Sequence, residues 1–90
     1  MKQKQTKTIY LGNLPQNTTE ENIKKLFTKF GDIVSFRFAV SIPELEIKPD
    51  FVFIQLSNLK AMQKAVKKLN DFYYQDKFLI AKLIDYPSKN

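Results

Sequence analysis

Ninety residues carry fifteen lysines and arginines against nine acids, a net charge of +6, and neither cysteine nor histidine. A chain of this length makes one domain with a modest core; without cysteine it has no disulfide or thiolate metal site, and without histidine it lacks the commonest general base and metal ligand. All but one of the cations are lysine, the cation less suited to bidentate phosphate and base contacts, so the charge fits a lysine-rich solvated surface as well as a nucleic acid partner.

Residues 1–7 are a polar, basic lead-in, expected to be flexible. No apolar run follows as a secretory signal requires, and no stretch approaches the length of a membrane span. Residues 8–14 predict a first strand, with Ile9 and Leu11 on one face and Thr8 and Tyr10 on the other. Gly12, Asn13 and Pro15 end it.

Thr19 is the expected N-cap of a first helix, with Glu20 and Glu21 where the helix dipole favours acids; Thr18 with Glu21 makes an alternative capping box. Ile23, Leu26, Phe27 and Phe30 recur at helical spacing as a core stripe, and Gly31 is the expected C-cap. Residues 33–40 predict the second strand. Anchored on Ile33 through an irregular start, its alternation turns Phe36 and Phe38 inward and Arg37 outward, with the opposite facing as the alternative that an irregular strand start allows.

Pro43 and Pro49 exclude a regular central strand from residues 41–50, an acidic connection in which Leu45 and Ile47 alternate with Glu44 and Glu46. Residues 51–56 are rich in aromatic and β-branched types and predict the third strand. Val52, Ile54 and Leu56 make its core face, leaving Phe51, Phe53 and Gln55 on the other. Phenylalanines on a face that the core does not use are either covered by something else or form a stacking platform.

Ser57 or Asn58 caps the second helix, whose stripe is Leu59, Met62, Ala65, Val66 and Leu69; Lys60, Lys64, Lys67 and Lys68 face water. Residues 70–77 turn the chain, with Phe72, Tyr73 and Tyr74 crowded into the turn. Residues 78–84 predict the last strand, with Leu79, Ala81 and Leu83 inward and Phe78, Ile80 and Lys82 outward, before Pro87 ends it. The order β-α-β-β-α-β predicts an α+β, ferredoxin-like sandwich: a four-stranded antiparallel sheet with two helices on one face, since each helix has a single apolar stripe. The other sheet face then presents Tyr10, Phe51 and Phe53.

Over residues 8–83 the chain resembles the RNA recognition motif (RRM) family. Ile9-Tyr10-Leu11-Gly12-Asn13-Leu14 is similar to the family's hexapeptide in strand 1. Pro49-Asp50-Phe51-Val52-Phe53-Ile54-Gln55-Leu56 lies at its octapeptide. Leu26-Phe27, Phe30-Gly31, Ile33, Ala65-Val66 and Leu69-Asn70 also fall where the family places them. Pro49 and Asp50 depart from the pattern, standing where the family has a basic residue, which usually meets a phosphate, and a glycine. Val52 and Leu56 replace a small residue and an aromatic in the core, where repacking is expected. The acidic 41–50 connection differs from the basic loop that many relatives use to grip RNA.

The resemblance implies a domain over residues 8–84 between flexible tails at 1–7 and 85–90. It implies binding of single-stranded RNA on the open sheet face. Tyr10 would stack one base and Phe51 or Phe53 the next, the remaining ring lying against sugars. Arg37 and Lys82 would meet phosphates or a base edge, and Asn13 and Gln55 would read base edges. The expected setting is an RNA-processing or mRNA-associated role inside the cell, the nucleus ahead of the cytoplasm. The expected state is a monomer, with other ribonucleoprotein components as further partners and no cofactor, metal or membrane. One rival is an RRM-like protein-interaction module using residues 42–50 and 72–74, although the Arg-x-Phe signature of the peptide-binding subclass is absent. Another is that Tyr86 or a partner covers the rings. An enzyme is not expected, since no carboxylate pair sits in a recognisable motif and no glycine-rich phosphate loop exists.

Overall fold

The computed structural model describes residues 7–38 and 50–85. Residues 1–6 and 86–90 of the expected tails, the connection carrying Pro43 to Pro49, the side chain of Phe38 and the expected cover by Tyr86 lie outside the described residues, whereas Lys7 and Asp85 pair with each other in the sheet. The elements are β1 (Lys7–Gly12), α1 (Glu20–Phe27), β2 (Ile33–Phe38), β3 (Val52–Leu56), α2 (Leu59–Leu69), β4 (Tyr73–Tyr74), β5 (Lys77–Phe78) and β6 (Ile80–Asp85). Strands β2, β3, β1 and β6 form one sheet in that order, each neighbouring pair antiparallel. This is the ferredoxin-like arrangement expected from the strand and helix order.

Alternation decides the two faces. Ile9, Leu11, Val52, Ile54, Leu56 and Ala81 point to one side. There they form a single core with Ile23 and Phe27 of α1 and with Ala61, Met62, Ala65 and Leu69 of α2. Both helices therefore cover the same face. The irregular start of β2 is a register shift between Ile33 and Ser35. The extra residue, Val34, is 63% exposed, and the shift lets both Ile33 and Phe36 reach the core despite their odd spacing.

Thr19 caps α1: its hydroxyl accepts from the Asn22 N–H, and the Asn22 side-chain oxygen accepts from the Thr19 N–H, both at 3.1 Å. The capping box is thus built on Thr19 and Asn22, not on Thr18 and Glu21. The helix ends at Phe27 with Thr28 as its C-cap, earlier than the expected Gly31. The chain tightens there, because the N–H groups of Phe30 and Gly31 both donate to the Phe27 carbonyl, at 2.9 and 3.4 Å. Gly31, at φ +149°, instead turns the chain into β2.

Asn58 caps α2 through a 2.7 Å bond from the Ala61 N–H to its side-chain oxygen. At the start of α2 the stripe differs from expectation. Leu59 is 44% exposed and Ala61 is buried instead, because the first helical residue sits beyond the edge of the sheet-facing stripe. The expected turn at 70–77 contains a hairpin of its own. β4 and β5 pair about Gln75 and Asp76, which sit at φ +48° and +70°, the signature of a type I′ turn. The last sheet strand consequently begins at Ile80, not Phe78.

Candidate nucleic-acid interface

Register gathers the outward side chains of the two central strands. Tyr10 of β1 lies opposite Phe53 of β3 on one side and Lys82 of β6 on the other. Arg37 of β2 lies opposite Phe53. Phe51 immediately precedes β3. The three rings form one cluster on the face away from the helices. Tyr10 and Phe51 are stacked at 5.2 Å between centroids with planes 29° apart. Phe53 meets both edge-on, 6.1 Å from Tyr10 and 5.6 Å from Phe51. All three are half-buried.

Gly12 sets how Tyr10 lies. A Cβ built on Gly12 would fall 2.6 Å from the Tyr10 hydroxyl and 2.7 and 2.8 Å from its Cε1 and Cζ. The Tyr10 ring therefore rests over the backbone of its own strand, in space that only glycine leaves open. Such a ring offers a flat π-surface to the solvent side of the sheet.

The polar residues named from the sequence divide into two kinds. Arg37 and Lys82 are exposed and stand on the strands that flank the ring cluster. Asn13 and Gln55 are tied into the fold. The Asn13 amide nitrogen donates to the Phe78 carbonyl at 2.8 Å, while its backbone adopts φ +60°. The Gln55 amide nitrogen donates to the Lys7 carbonyl at 3.0 Å. Each side chain thus keeps its amide oxygen as its remaining polar atom, an acceptor.

Two residues not singled out from the sequence join this face. Thr8 and Ser35, with Arg37, Phe53 and Gln55, line a polar notch of about 160 Å³ beside the Phe53 ring. Thr8 is buried, at 3% exposure, between the strands carrying Gln55 and Ile84. The signal that could have found both was their parity, since each shares a face with Tyr10 or Arg37. Asp50 is exposed beside Phe51, and its carbonyl accepts from the Leu14 N–H at 2.9 Å. Among the described residues no group of three or more histidines, cysteines or acids could hold a metal, and no helix is long and apolar enough to cross a membrane.

A ferredoxin-like sheet with helices on one face and clustered rings on the other has the architecture of RNA recognition motif domains. The sequence profile of that family, the RNA recognition motif, matches residues 9–80, and the chain belongs to the family. It is 31% identical over 70 residues to the mouse (Mus musculus) Msx2-interacting protein, covering 78% of this chain and 2% of that protein. It is 36% identical over 70 residues to the nuclear localization sequence-binding protein of Saccharomyces cerevisiae, covering 78% of this chain and 17% of the relative. The mRNA 3'-end-processing protein RNA15 of the same yeast is 27% identical over 74 residues, 82% of this chain and 25% of that protein. The chain thus spans a small part of each of these relatives.

Solved structures agree. The RNA15 RRM matches with a TM-score of 0.75 at 27% identity, covering 90% of this chain and 88% of that one. The same domain with bound RNA (GU) matches with a TM-score of 0.73 at 26% identity, covering 91% and 83%.

Proposed function

We propose that this domain binds single-stranded RNA on its open sheet face, with Tyr10 stacking one base, Phe51 or Phe53 the next, and the remaining ring packing against sugars. The observation that carries this reading is the ring cluster: three mutually contacting aromatics, 5.2 to 6.1 Å apart, on the sheet face that neither helix covers. Membership of the RNA recognition motif family and the RNA-bound structure of the similar RNA15 domain support it.

Each base–ring stack is worth about 1–3 kcal/mol as judged by alanine substitution. Two or three stacks with a few cation contacts give an affinity on the order of micromolar. Arg37 and Lys82 supply the cations, meeting phosphates or a base edge. Asn13 and Gln55 read base edges through their free carbonyl oxygens, which accept from base amino or imino groups. With Pro49 where a basic residue usually stands and Asp50 where a glycine does, phosphate contacts are few, and affinity falls only moderately with salt. The role is RNA-processing or mRNA-associated, inside the cell, with no catalytic chemistry of its own.

Fluorescence anisotropy against a mixed pool of short single strands at low salt tests the proposal. Binding is expected, and the combined Tyr10→Ala, Phe53→Ala variant should weaken it by about thirtyfold or more while keeping its fold. A folded double variant with wild-type affinity would refute the stacking role. Amide shifts on adding RNA should centre on residues 10, 51 and 53.

A further inference from the structure

The helix side of the domain carries a second concave surface. Where α1 ends and α2 ends, a groove of about 370 Å³ opens between Leu26, Phe30 and Phe72, with Lys25, Lys29 and Lys68 beside them. Leu26, in α1, and Phe30, just beyond it, pack against the core that lies between the helices and the sheet, so the groove lies across the sheet from the ring cluster. Phe72 is 41% exposed and is held in place by stacking on Tyr74, 6.4 Å between centroids with planes 27° apart. The volume is in the range of sites that hold ligands.

Its charge is one-sided. All three lysines are exposed, and no carboxylate lines the groove among the described residues. The ion pairs among the described residues, Lys7–Asp85 and Lys24–Glu20, use none of the three lysines. Lys25 and Lys68 stand in the last turns of their helices, where the dipole favours cations. That accounts for neither Lys29, beyond the end of α1, nor the apolar floor.

We propose that this groove docks an acidic, amphipathic segment of a partner protein. Its apolar side chains settle on Leu26, Phe30 and Phe72, and its carboxylates face Lys25, Lys29 and Lys68. RNA fits less well. A phosphate chain would leave the apolar floor uncovered, and the exposed ring of Phe72 already stacks on Tyr74. The groove and the ring face lie on opposite sides, so the domain holds peptide and RNA at once.

The test is a ¹⁵N NMR titration of the chain with a synthetic amphipathic helical peptide. The peptide carries Leu and Phe at positions i, i+3, i+4 and i+7 and Glu elsewhere, with a scrambled peptide of equal composition as control. Shifts are expected at Leu26, Lys29, Phe30, Lys68 and Phe72, with binding that weakens as salt rises. Replacing all three lysines (Lys25→Gln, Lys29→Gln, Lys68→Gln) should weaken binding by roughly tenfold. Phe72→Ala should also weaken it, and Tyr10→Ala should leave it unchanged. No shifts at millimolar peptide, equal binding of the scrambled peptide, or shifts centred on the ring face would overturn the proposal. So would groove shifts caused by RNA alone, or by raising the concentration of the chain alone, which would mark a second copy as the occupant. Loss of RNA binding with intact peptide shifts would count against the ring-face reading and leave this one standing.

Discussion

Gly12→Ala separates what holds the fold from what holds the binding surface. Gly12 is not at positive φ, so alanine adopts its backbone without strain. Replacing glycine at such a position removes freedom from the unfolded chain, a gain of about 0.4–1 kcal/mol. The new methyl, however, would sit 2.6 to 2.8 Å from three atoms of the Tyr10 side chain, where ordinary contact starts at 3.4 Å. The ring must retreat by roughly 0.6 to 0.8 Å. It is the free end of a side chain that can swing, so the cost to stability is small. The swing lifts Tyr10 off its strand and breaks the 29° stacking with Phe51. The loss is bounded by the worth of one base stack, about 1–3 kcal/mol, or about 5- to 150-fold in Kd.

Anisotropy titration with the same RNA, beside a thermal melt, reads both quantities. Weakening of at least about fivefold with little change in Tm is expected. The same substitution in a Tyr10→Ala background should add less than about twofold, because the ring through which it acts is gone. An undiminished effect in that background, or wild-type affinity of the single variant, would refute the positioning argument.

Substitutions at three further positions test other parts of the geometry. Gly31→Ala places a side chain at φ +149°, where space is adequate, with Ala61 Cβ at 3.4 Å, but the backbone is not. The strain is about 1–3 kcal/mol, and at about 4–8 °C per kcal/mol for a domain of this size the melt should fall clearly. Asn13→Gly keeps φ +60° available and loses the bond to the Phe78 carbonyl, about 0.5–1.5 kcal/mol, whereas Asn13→Ala adds left-handed strain and should melt lower still. Asp50→Asn removes an exposed negative charge beside Phe51, so RNA binding at low salt should tighten by about two- to fivefold while the melt stays put.

Much of this was legible in the residues because period-2 alternation carries both halves of a strand's role. Ile9 and Leu11 named the core face of β1 and thereby put Tyr10 on the other. Val52, Ile54 and Leu56 did the same for Phe53. What alternation misses is local backbone geometry. Nothing in Gln75-Asp76 resembles the Asn-Gly or Asp-Gly pairs that announce a type I′ turn, so the β4–β5 hairpin was hidden. Glycine commonly ends helices, which marks Gly31 as a cap, but the chain tightens over the three residues after Phe27, before Gly31 is reached. The amides were ambiguous for another reason. Asn13 and Gln55 sit where a base could be read, yet their donors go to the carbonyls of Phe78 and Lys7, backbone groups 65 and 48 residues away in sequence. Contacts of that range leave no local mark.

The ring cluster and the core are two consequences of one register. A strand shifted by a single residue exchanges its faces entirely. Moving β3 by one position against β1 would bury Phe53 and expose Ile54, at a cost set by the full apolar burial of Val52, Ile54 and Leu56. The rings are therefore held side by side by side chains on the far side of the sheet, not by their own edge contacts. The one relaxation is the extra residue at Val34, which restores the alternation of β2 so that Phe36 turns to the core and Arg37 to the rings. The cation beside Phe53 owes its face to that irregularity. Further along, Gly12 lets Tyr10 lie flat without disturbing the pairing of Leu11 with Val52 and Ala81. Core packing thus fixes where the rings are, and two local departures, one inserted residue and one missing Cβ, fix what the open face presents.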